Sequence, residues 1–266
     1  MRGAATSTVG NYAFFGGGSS SSTYSSTVNA YSRSLTRSVL TSLSEPKYRL
    51  TATTVGNYAL FGGGSSSGSY YSIVDVYNSS LTRSTATSLS EARCFLNATT
   101  VENYALFGGG YYGPCSTVDA YNSSLTRSTP TALNVARWYL VATTVGSYAL
   151  FGGGYYGSNC CSTVDAYNSS LTRSTIIDLS VARRGLAATT VGSYALFGGG
   201  YDGSSYCSTL DYYRYSENNK TVYLYKGAKY KFQNMDSEQI YSSTMGSISI
   251  PTPATGYIKI KNTTIS

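Results

Sequence analysis

The chain has 266 residues, of which only 12% are charged, and 19 basic against 12 acidic residues give a net charge of +7. Histidine is absent, which excludes Ser-His-Asp and Cys-His catalysis within the chain and the usual His-ligated zinc, copper and non-haem iron sites. No apolar run approaches the ~18 residues of a membrane helix, so we expect no membrane span.

An internal repeat organises most of the sequence. The string Gly-Gly-Gly occurs five times, at steps of 46, 46, 44 and 46 residues. Its copies begin at Gly16, Gly62, Gly108, Gly152 and Gly198. Residues 117–129 and 163–175 are identical. Self-similarity at this period predicts one supersecondary unit copied five times along the chain.

One copy of the repeat predicts four short strands, at 50–55, 58–61, 72–77 and 81–87. Gly56-Asn57 is a hairpin signal between the first two, and residues 78–80 turn the chain between the last two. Thr, Val, Tyr and Phe suit a half-buried pleated surface, and no stretch has the sustained spacing of a helix. The sequence therefore predicts an all-β fold whose four-stranded units stack as the blades of a β-propeller.

Recurrent positions in these units resemble the kelch repeat. In that family a strand ends in a Gly pair, a Tyr follows after a loop, a Trp comes a few residues later, and a basic residue opens the next blade. The Gly pairs correspond to the first two residues of each Gly-Gly-Gly string. The matching tyrosines are Tyr31, Tyr77, Tyr121, Tyr167 and Tyr213, and the matching basic residues are Lys47, Arg93, Arg137 and Arg183. The resemblance covers about residues 2–214 and implies a propeller of five kelch-like units.

The family's tryptophan is the departure from this pattern. Serine stands at that position, as Ser38, Ser84, Ser128 and Ser174. We expect the leucine three residues earlier to take over some of the missing packing, at Leu35, Leu81, Leu125 and Leu171.

The composition changes after residue 211, so we divide the chain into repeats at 1–211 and a C-terminal segment at 212–266. That segment holds seven basic and three acidic residues, a net charge of +4. It has strand-like runs at 221–225, 228–232, 247–250 and 256–261, and a turn at Pro251-Thr252-Pro253. Two roles stay open: completion of the last blade with a degenerate sixth blade, or a small β appendage, which the loss of the repeat's signatures favours.

Near-identical copies make the differences between them informative. Two stretches vary: the loop between the second and third strands, and the link that follows the basic residue. The loops are 19–26, 65–72, 111–116, 155–162 and 201–208. In an antiparallel four-stranded unit these two stretches emerge at the same end, whereas the nearly constant turns emerge at the other. Drift of unconstrained loops is the alternative reading, but drift does not explain why aromatic residues concentrate there.

The variable loops are rich in Tyr, Ser and Gly, a composition typical of adaptable recognition surfaces. We therefore predict a non-enzymatic module that binds a glycan or a protein surface without a cofactor. The predicted ligand-binding residues are Tyr70, Tyr71, Tyr111, Tyr112, Trp138, Tyr139, Tyr155, Tyr156, Tyr201, Asp202 and Tyr206.

Two other functions stay open at the level of sequence. The first is a structural subunit of a surface assembly or viral particle, docked through residues 212–266. The second is a carbohydrate-active enzyme on the variable loops, where Asp202 is the only acid. Low charge and abundant Ser, Thr and Tyr favour an extracellular, cell-surface or phage-particle setting. Residues 1–5 lack the apolar core of a secretory signal, and the sequence leaves the compartment and the ligand open.

The remaining reactive residue types have a structural interpretation. One aspartate recurs at the same position in four units, as Asp75, Asp119, Asp165 and Asp211. Such a recurrence indicates a scaffold role. Five cysteines form no complete disulfide set and lack the close pairs of a structural zinc site. The repeat arginines are spread evenly, one to a unit, and form no dense basic stripe, so nucleic acid binding is not expected.

Overall fold

The structure, a computed structural model, describes residues 2–21 and 23–216 and, beyond them, the strands within 221–263. Every regular element among these residues is a β-strand, which confirms the all-β prediction. Within the described part of the chain, no helix has the length and apolar character needed to cross a membrane. The turn predicted at Pro251-Thr252-Pro253 lies outside the described residues.

Four-stranded antiparallel sheets repeat along the chain, and we call them units 1 to 5. Unit 1 consists of β1 (Ala5–Val9), β2 (Tyr12–Gly16), β3 (Val28–Ser32) and β4 (Arg37–Val39). Unit 2 consists of β5 (Thr51–Val55), β6 (Tyr58–Gly62), β9 (Val74–Asn78) and β10 (Arg83–Ala86), with the small hairpin β7 (Ser65–Ser66) and β8 (Ser69–Tyr70) between its second and third strands. Unit 3 consists of β11 (Asn97–Val101), β12 (Tyr104–Gly108), β13 (Val118–Asn122) and β14 (Arg127–Ser128).

Units 4 and 5 follow the same order of pairing. Unit 4 consists of β15 (Val141–Val145), β16 (Tyr148–Gly152), β19 (Val164–Asn168) and β20 (Arg173–Ile176), with the hairpin β17 (Tyr155–Tyr156) and β18 (Asn159–Cys160). Unit 5 consists of β21 (Ala187–Val191), β22 (Tyr194–Gly198), β23 (Leu210–Ser216) and β28 (Gly256–Ile258).

The C-terminal segment therefore supplies the fourth strand of unit 5, because β28 pairs antiparallel with β23. Strand β23 runs through the predicted boundary between residues 211 and 212. The other strands of the segment form a pair and a three-stranded sheet. They are β24 (Thr221–Leu224), β25 (Lys229–Gln233), β26 (Glu238–Ser242), β27 (Gly246–Ser249) and β29 (Lys261–Thr263).

Hydroxyl groups join the first strands of neighbouring units. Each of β1, β5, β11 and β15 lies beside the first strand of the next unit. Thr53 Oγ1 and Thr100 Oγ1 are 2.8 Å apart, and the Thr100 hydroxyl also donates to the carbonyl of Thr54. Equivalent pairs join Ser7 to Thr54, Thr99 to Thr144 and Thr143 to Thr190. The recurrent Thr-Thr of the first strand is thus a ladder of hydrogen bonds between units.

The hydrophobic core lies between the units. Among the described residues four apolar clusters are present, one at each junction of consecutive units. At the first junction, Phe14 and Val28 of unit 1 pack with Phe61 and Tyr77 of unit 2. Residues on the two faces of one sheet thus belong to different clusters, so a unit completes its core only by stacking on its neighbours.

The Gly-Gly-Gly strings permit this close stacking. A Cβ atom at Gly62 would lie 2.8 Å from the ring of Phe107 in the next unit, which is closer than packed carbon atoms approach. The second and third glycines have positive φ, 71° at Gly63 and 105° at Gly64, where glycine has no steric penalty. The strings therefore combine positive φ with close packing at these strand ends.

A buried ion pair crosses each junction. A basic side chain in the link after one unit meets the recurrent aspartate of the next, as Arg137 Nη2 meets Asp165 Oδ2 at 2.9 Å. The other pairs are Lys47 with Asp75, Arg93 with Asp119 and Arg183 with Asp211, at 2.7 to 3.1 Å. Arg173 also approaches Asp165 from the same sheet. The recurrent aspartate is therefore a junction residue, as its recurrence predicts.

The leucine expected to replace the family's tryptophan behaves in two ways. Leu81, Leu125 and Leu171 are partly buried against the junction clusters, which agrees with the expectation. Leu35 is exposed, so the expectation is wrong for unit 1. Within the described residues unit 1 is the first unit, so its leucine does not lie against a cluster shared with a preceding unit.

Candidate ligand-binding face

The two variable stretches meet at one end of the units. Trp138 in the link donates its main-chain N–H to the carbonyl of Tyr155 at 3.1 Å, and Tyr155 returns a hydrogen bond at 2.7 Å. The same reciprocal pairing joins Tyr48 to Ser65, Cys94 to Tyr111 and Arg184 to Tyr201. We call the surface formed by the five variable loops and the adjoining links the variable face.

Seven of the predicted binding residues contribute to one row of rings. Trp138 is at its centre, with ring centroids 5.0 Å from Tyr111 and 5.2 Å from Tyr155. Tyr70 extends the row in unit 2, 6.3 Å from Tyr111, and Tyr112 packs on Tyr70 at 5.0 Å. At the other end Tyr201 and Tyr206 are 5.4 Å apart. The aromatic residues of units 2 to 5 thus form a row rather than isolated exposed side chains.

Arg184 lies between the part of this row in units 2 to 4 and the part in unit 5. Its guanidinium carbon lies 4.4 Å from the ring centre of Tyr155 and 5.4 Å from that of Tyr201. A guanidinium stacked on aromatic rings is attracted by their negative faces. The N–H groups of a guanidinium lie in its own plane, so a guanidinium near ring faces can donate to a ligand that carries acceptor oxygens.

A second, inner row follows the links. Arg49 stacks between Tyr48 and Phe95, at 4.3 and 4.1 Å from their ring centres. Phe95 in turn lies 4.1 Å from Tyr139. Burial raises the pKa of the Tyr139 phenol, so this group is neutral and can donate a hydrogen bond at neutral pH. Arg184 lies 6.0 Å from Tyr139 and connects the two rows.

The main chain beneath the inner row has an unusual conformation. Arg49, Phe95 and Tyr139 have φ values of 57°, 54° and 56°, in the left-handed region. Successive links are joined there by main-chain hydrogen bonds, from Phe95 N–H to the Arg49 carbonyl at 3.1 Å and from Tyr139 N–H to the Phe95 carbonyl at 3.2 Å. The same position is Gly3 before unit 1 and Gly185 before unit 5, also with positive φ.

Large side chains therefore occupy three positions where glycine is the least strained residue. A left-handed conformation costs a non-glycine residue roughly 1–2 kcal/mol. Glycine occupies the two end positions of the same series. Strain that is retained where the chain has a ready alternative points to a role for the side chains.

Two clefts open on the variable face. One, of about 410 Å³, is lined by Arg2, Tyr24, Tyr48, Arg49 and Phe95 together with small hydroxyl residues. The other, of about 680 Å³, is lined by Tyr139, Arg184, Gly185, Gly200, Tyr201 and Tyr206. Each cleft therefore combines aromatic surface with at least one arginine.

Three predicted residues lie outside the aromatic rows. Tyr71 shares a hydrogen bond with Ser66 at 2.7 Å, and Tyr156 is exposed at the tip of the unit 4 hairpin. Asp202 accepts main-chain hydrogen bonds from Ser205 and Ser204, which lower the pKa of its carboxyl group to about 2. A group ionised at neutral pH cannot act as a general acid, and Asp202 shapes its own turn.

The sequence prediction missed Arg49, Phe95 and Arg184. All three stand in links that vary between units, but the predicted residues were chosen from the Tyr-rich loops and one link. For Arg49 and Phe95 the signal was present in the equivalent positions Gly3 and Gly185, because a series that contains both glycine and large residues indicates a left-handed main chain.

Among the described residues, no group of three or more Cys, Asp or Glu side chains is placed to hold a metal ion. The five cysteines are free thiols, and burial raises the pKa of Cys94 and Cys115. No protein-family model and no curated protein matches this chain.

Proposed function

We propose that the protein is a non-enzymatic recognition module of the kelch-repeat kind, in which five propeller blades present the variable face to a glycan or a protein surface. The observation that carries the proposal is the left-handed main chain under Arg49, Phe95 and Tyr139. These side chains occupy a strained position that glycine fills at both ends of the series, and they line the clefts of the variable face.

The arrangement of the rings supports binding over a broad surface. Tyr and Trp give large contact areas with few rotatable bonds, and such residues dominate the energy of recognition surfaces. The row centred on Trp138, here called the outer row, runs from Tyr112 in unit 3 to Tyr206 in unit 5. A ligand that spans several units, such as an oligosaccharide or an extended protein segment, uses more of the row than a small molecule does.

Charge favours ligands with acidic groups. Arg49 and Arg184 stack on rings in the two clefts, and no described acidic side chain forms a salt bridge with either. Asp202 is occupied by its own turn. Guanidinium groups bind carboxylate and sulfate oxygens in a bidentate manner, so we expect sialylated or sulfated glycans and acidic protein surfaces to bind best.

The proposal is tested by a binding screen on the purified chain against immobilised neutral, sialylated and sulfated glycans and cell-surface proteins. For the ligand identified, Trp138→Ala is expected to raise Kd by roughly thirtyfold, the equivalent of about 2 kcal/mol. Its melting temperature is expected to stay close to that of the native chain, because Trp138 lies on the face and not in a junction cluster.

Tyr104→Ala is the matched control. Tyr104 begins β12 at the opposite end of unit 3 and packs against a junction cluster. This variant is expected to lower the melting temperature and to leave Kd unchanged. A collapse of the melting temperature in Trp138→Ala would show that Trp138 belongs to the core and that the variable face is wrongly assigned.

A loop exchange tests which copy carries the specificity. Replacing loop 155–162 by the sequence of loop 65–72 removes Tyr155 and Tyr156 but keeps eight residues. Binding is expected to weaken or to change its ligand preference, while the fold is retained. Unchanged affinity and preference would exclude the outer row as the binding element.

A further inference from the structure

The inner row of stacked side chains is interrupted beside Tyr139. Its steps up to that residue are short, because the Arg49 guanidinium lies 4.1 Å from the ring centre of Phe95, and Phe95 lies 4.1 Å from Tyr139. The next position in the series is Gly185, which has no side chain to continue the stack. The guanidinium of Arg184 lies over the ring of Tyr139 only at 6.0 Å.

The space over Gly185 is open with respect to the described residues. Its φ of 61° matches the 56° of Tyr139, yet a Cβ atom built on Gly185 meets no described atom within 4 Å. Gly3, the other glycine of the series, is crowded: its Cβ would lie 3.1 Å from the Arg49 nitrogen and 3.4 Å from the ring of Tyr48. The gap therefore belongs to one link, and it opens into the cleft of about 680 Å³. We call it the Gly185 slot.

Aromatic rings and one cation line the cleft that contains the Gly185 slot. The rings belong to Tyr139, Tyr201 and Tyr206. The Tyr201 hydroxyl donates to the Gly203 carbonyl at 2.9 Å, which holds this ring in place. The guanidinium carbon of Arg184 lies 5.4 Å from the ring centre of Tyr201. A concave site with apolar walls and a few placed polar groups is typical of a small-molecule subsite.

The polar groups of the cleft select the chemistry of its ligand. The Arg184 guanidinium forms no salt bridge with a described carboxylate, and its geometry suits a carboxylate that binds through both oxygens. The phenol of Tyr139 is neutral, because burial raises its pKa, so it can exchange hydrogen bonds with a hydroxyl group. The ring of Tyr139 attracts C–H groups, which carry a partial positive charge, to its negative face.

One ligand class satisfies all three groups. A pyranose ring that carries a carboxylate presents C–H groups to an aromatic face, hydroxyl groups to a phenol and an anion to a guanidinium. An aromatic side chain of a partner protein would use the rings alone and would leave the guanidinium and the phenol without partners.

We propose that the Gly185 slot binds one acidic pyranose unit of a glycan, a hexuronate, with the sugar ring on Tyr139 and its carboxylate on Arg184. The slot deepens the proposed function of the variable face, on which it rests, because it names the chemical group that one cleft recognises. The sugar ring takes the place in the inner row that a side chain would occupy at residue 185.

The probe that tests this slot is methyl β-D-glucuronoside, titrated into the full chain and followed by saturation-transfer NMR. A single sugar unit is expected to bind with a Kd of about 1–10 mM. Methyl β-D-glucoside has the same ring without the acid, and phenylacetate has an acid and a ring without hydroxyl groups. Both are expected to bind at least about tenfold more weakly. A glucuronoside that binds no better than either compound, or does not bind, would overturn the proposal.

Gly185→Tyr fills the slot with the side chain that the chain already accepts at the equivalent residue Tyr139. This variant is expected to raise the Kd of the glucuronoside at least about tenfold. Gly192→Tyr is the matched control, because Gly192 has a similar φ of 55° and its Cβ also meets no described atom within 4 Å. It lies in the turn between β21 and β22, at the other end of unit 5, and is expected to bind the probe like the native chain. Equal values of Kd in the two variants would exclude the slot as the binding site.

Arg184→Gln tests the carboxylate contact. We expect this variant to bind the glucuronoside only as weakly as the native chain binds the neutral glucoside, and its affinity for the glucoside to stay unchanged. Arg33→Gln removes the same charge at an exposed position in the turn between β3 and β4, and is expected to leave both values of Kd unchanged. A similar loss in the two variants would show attraction to the net charge of the chain and no specific contact.

Melting temperatures show whether the chain itself fills the slot. Gly185→Tyr and Gly192→Tyr are expected to melt at similar temperatures, because they introduce the same ring at a similar φ. A much larger decrease in Gly185→Tyr would show that another part of the chain occupies the slot, and the proposal would be wrong.

Failure of the slot is distinguishable from failure of the proposed function. If the glucuronoside does not bind while a larger ligand binds in a manner that requires Trp138, the slot is wrong and the variable face is still a binding surface. If the glucuronoside binds and Gly185→Tyr blocks it, the slot is correct even where Trp138→Ala leaves the affinity for the larger ligand unchanged.

Discussion

Neighbouring residues of each link serve two different regions of the molecule, the junctions and the variable face. Arg137 is fully buried and pairs with Asp165 across a junction, whereas Tyr139, two residues later, faces the clefts. At the first position all four links carry a basic residue; at the second they carry Arg, Phe, Tyr and Gly. The repeats are therefore uniform at the link position that is buried in a junction and diverse at the link position that lines the variable face.

This difference teaches how a repeat chain can diversify without losing its fold. The junction uses side chains whose partners lie in the next copy, so each change requires a matching change elsewhere. The link residues of the variable face contact solvent and one another, and the main-chain hydrogen bonds between links do not depend on the side chain. The two regions are expected to respond to substitution in opposite ways.

The largest effect is expected from breaking a junction ion pair. Asp165→Ala leaves Arg137 buried without its carboxylate, and we expect a loss of about 3–5 kcal/mol in the free energy of unfolding. Urea denaturation measures this loss. Arg37→Ala is the control, because unit 1 has Asn29 in place of the aspartate and Arg37 is exposed. A loss below about 1 kcal/mol in Asp165→Ala would contradict a structural role for the pair.

A smaller effect is expected at the glycines that receive the phenylalanine rings. In Gly108→Ala the new Cβ would lie 2.7 Å from the ring of Phe151, and the overpacking is expected to cost about 1–3 kcal/mol. In Gly198→Ala the nearest described atom is Leu210 Cδ1 at 3.3 Å, and we expect a change within about 0.5 kcal/mol. Equal losses in the two variants would show that the phenylalanine ring does not set the cost of the substitution at Gly108.

Alkaline pH tests the junctions through their tyrosines. The phenol of Tyr77 donates to the Thr41 carbonyl, and three other junctions repeat this bond. Burial raises the pKa of all four phenols above their ordinary value of 10.0. The unfolded chain therefore loses these protons first, so the stability that these four phenols contribute is full below pH 10 and falls as pH rises above it.

Each tyrosine is expected to contribute a slope of up to about 1.4 kcal/mol per pH unit above pH 10. Burial lowers the pKa of Lys47, so this single group acts in the opposite direction, up to its unfolded pKa of 10.5. Tyr77→Phe removes one of these four contributions. The free energy of unfolding of this variant is therefore expected to decline less steeply between pH 9 and 11 than that of the native chain. A variant with an unchanged decline would show that Tyr77 does not ionise on unfolding.

Much of the fold could be predicted from the sequence because the five copies of the repeat can be aligned with one another. The strand order within a unit follows from turns such as Gly56-Asn57, and the strand segments agree with the structure to within a few residues. The common end of the two variable stretches follows from the same antiparallel order. These features depend on contacts within one unit, where sequence distance is short.

Contacts between units could not be predicted in the same way. The partner of Arg93 is Asp119, 26 residues later, and nothing local selects it over the aspartates of other units. The fourth strand of unit 5 is β28, which follows β23 only after about 40 residues. The inner row was missed for a related reason, because a positive φ at Phe95 is invisible unless its equivalents Gly3 and Gly185 are read as one series.

The smallest stability effect is expected at residue 95, and it distinguishes the variable face from the junctions most clearly. Replacing Phe95 by Gly removes the strain of the left-handed main chain, whereas replacing it by Ala keeps the strain and removes the same ring. We therefore expect Phe95→Gly to be more stable than Phe95→Ala by about 1 kcal/mol, the reverse of the order in regular structure. Both variants are expected to lose ligand binding to the same extent, at least about tenfold. If the native chain and both variants bind equally well, the strain at residue 95 serves the scaffold and not the ligand.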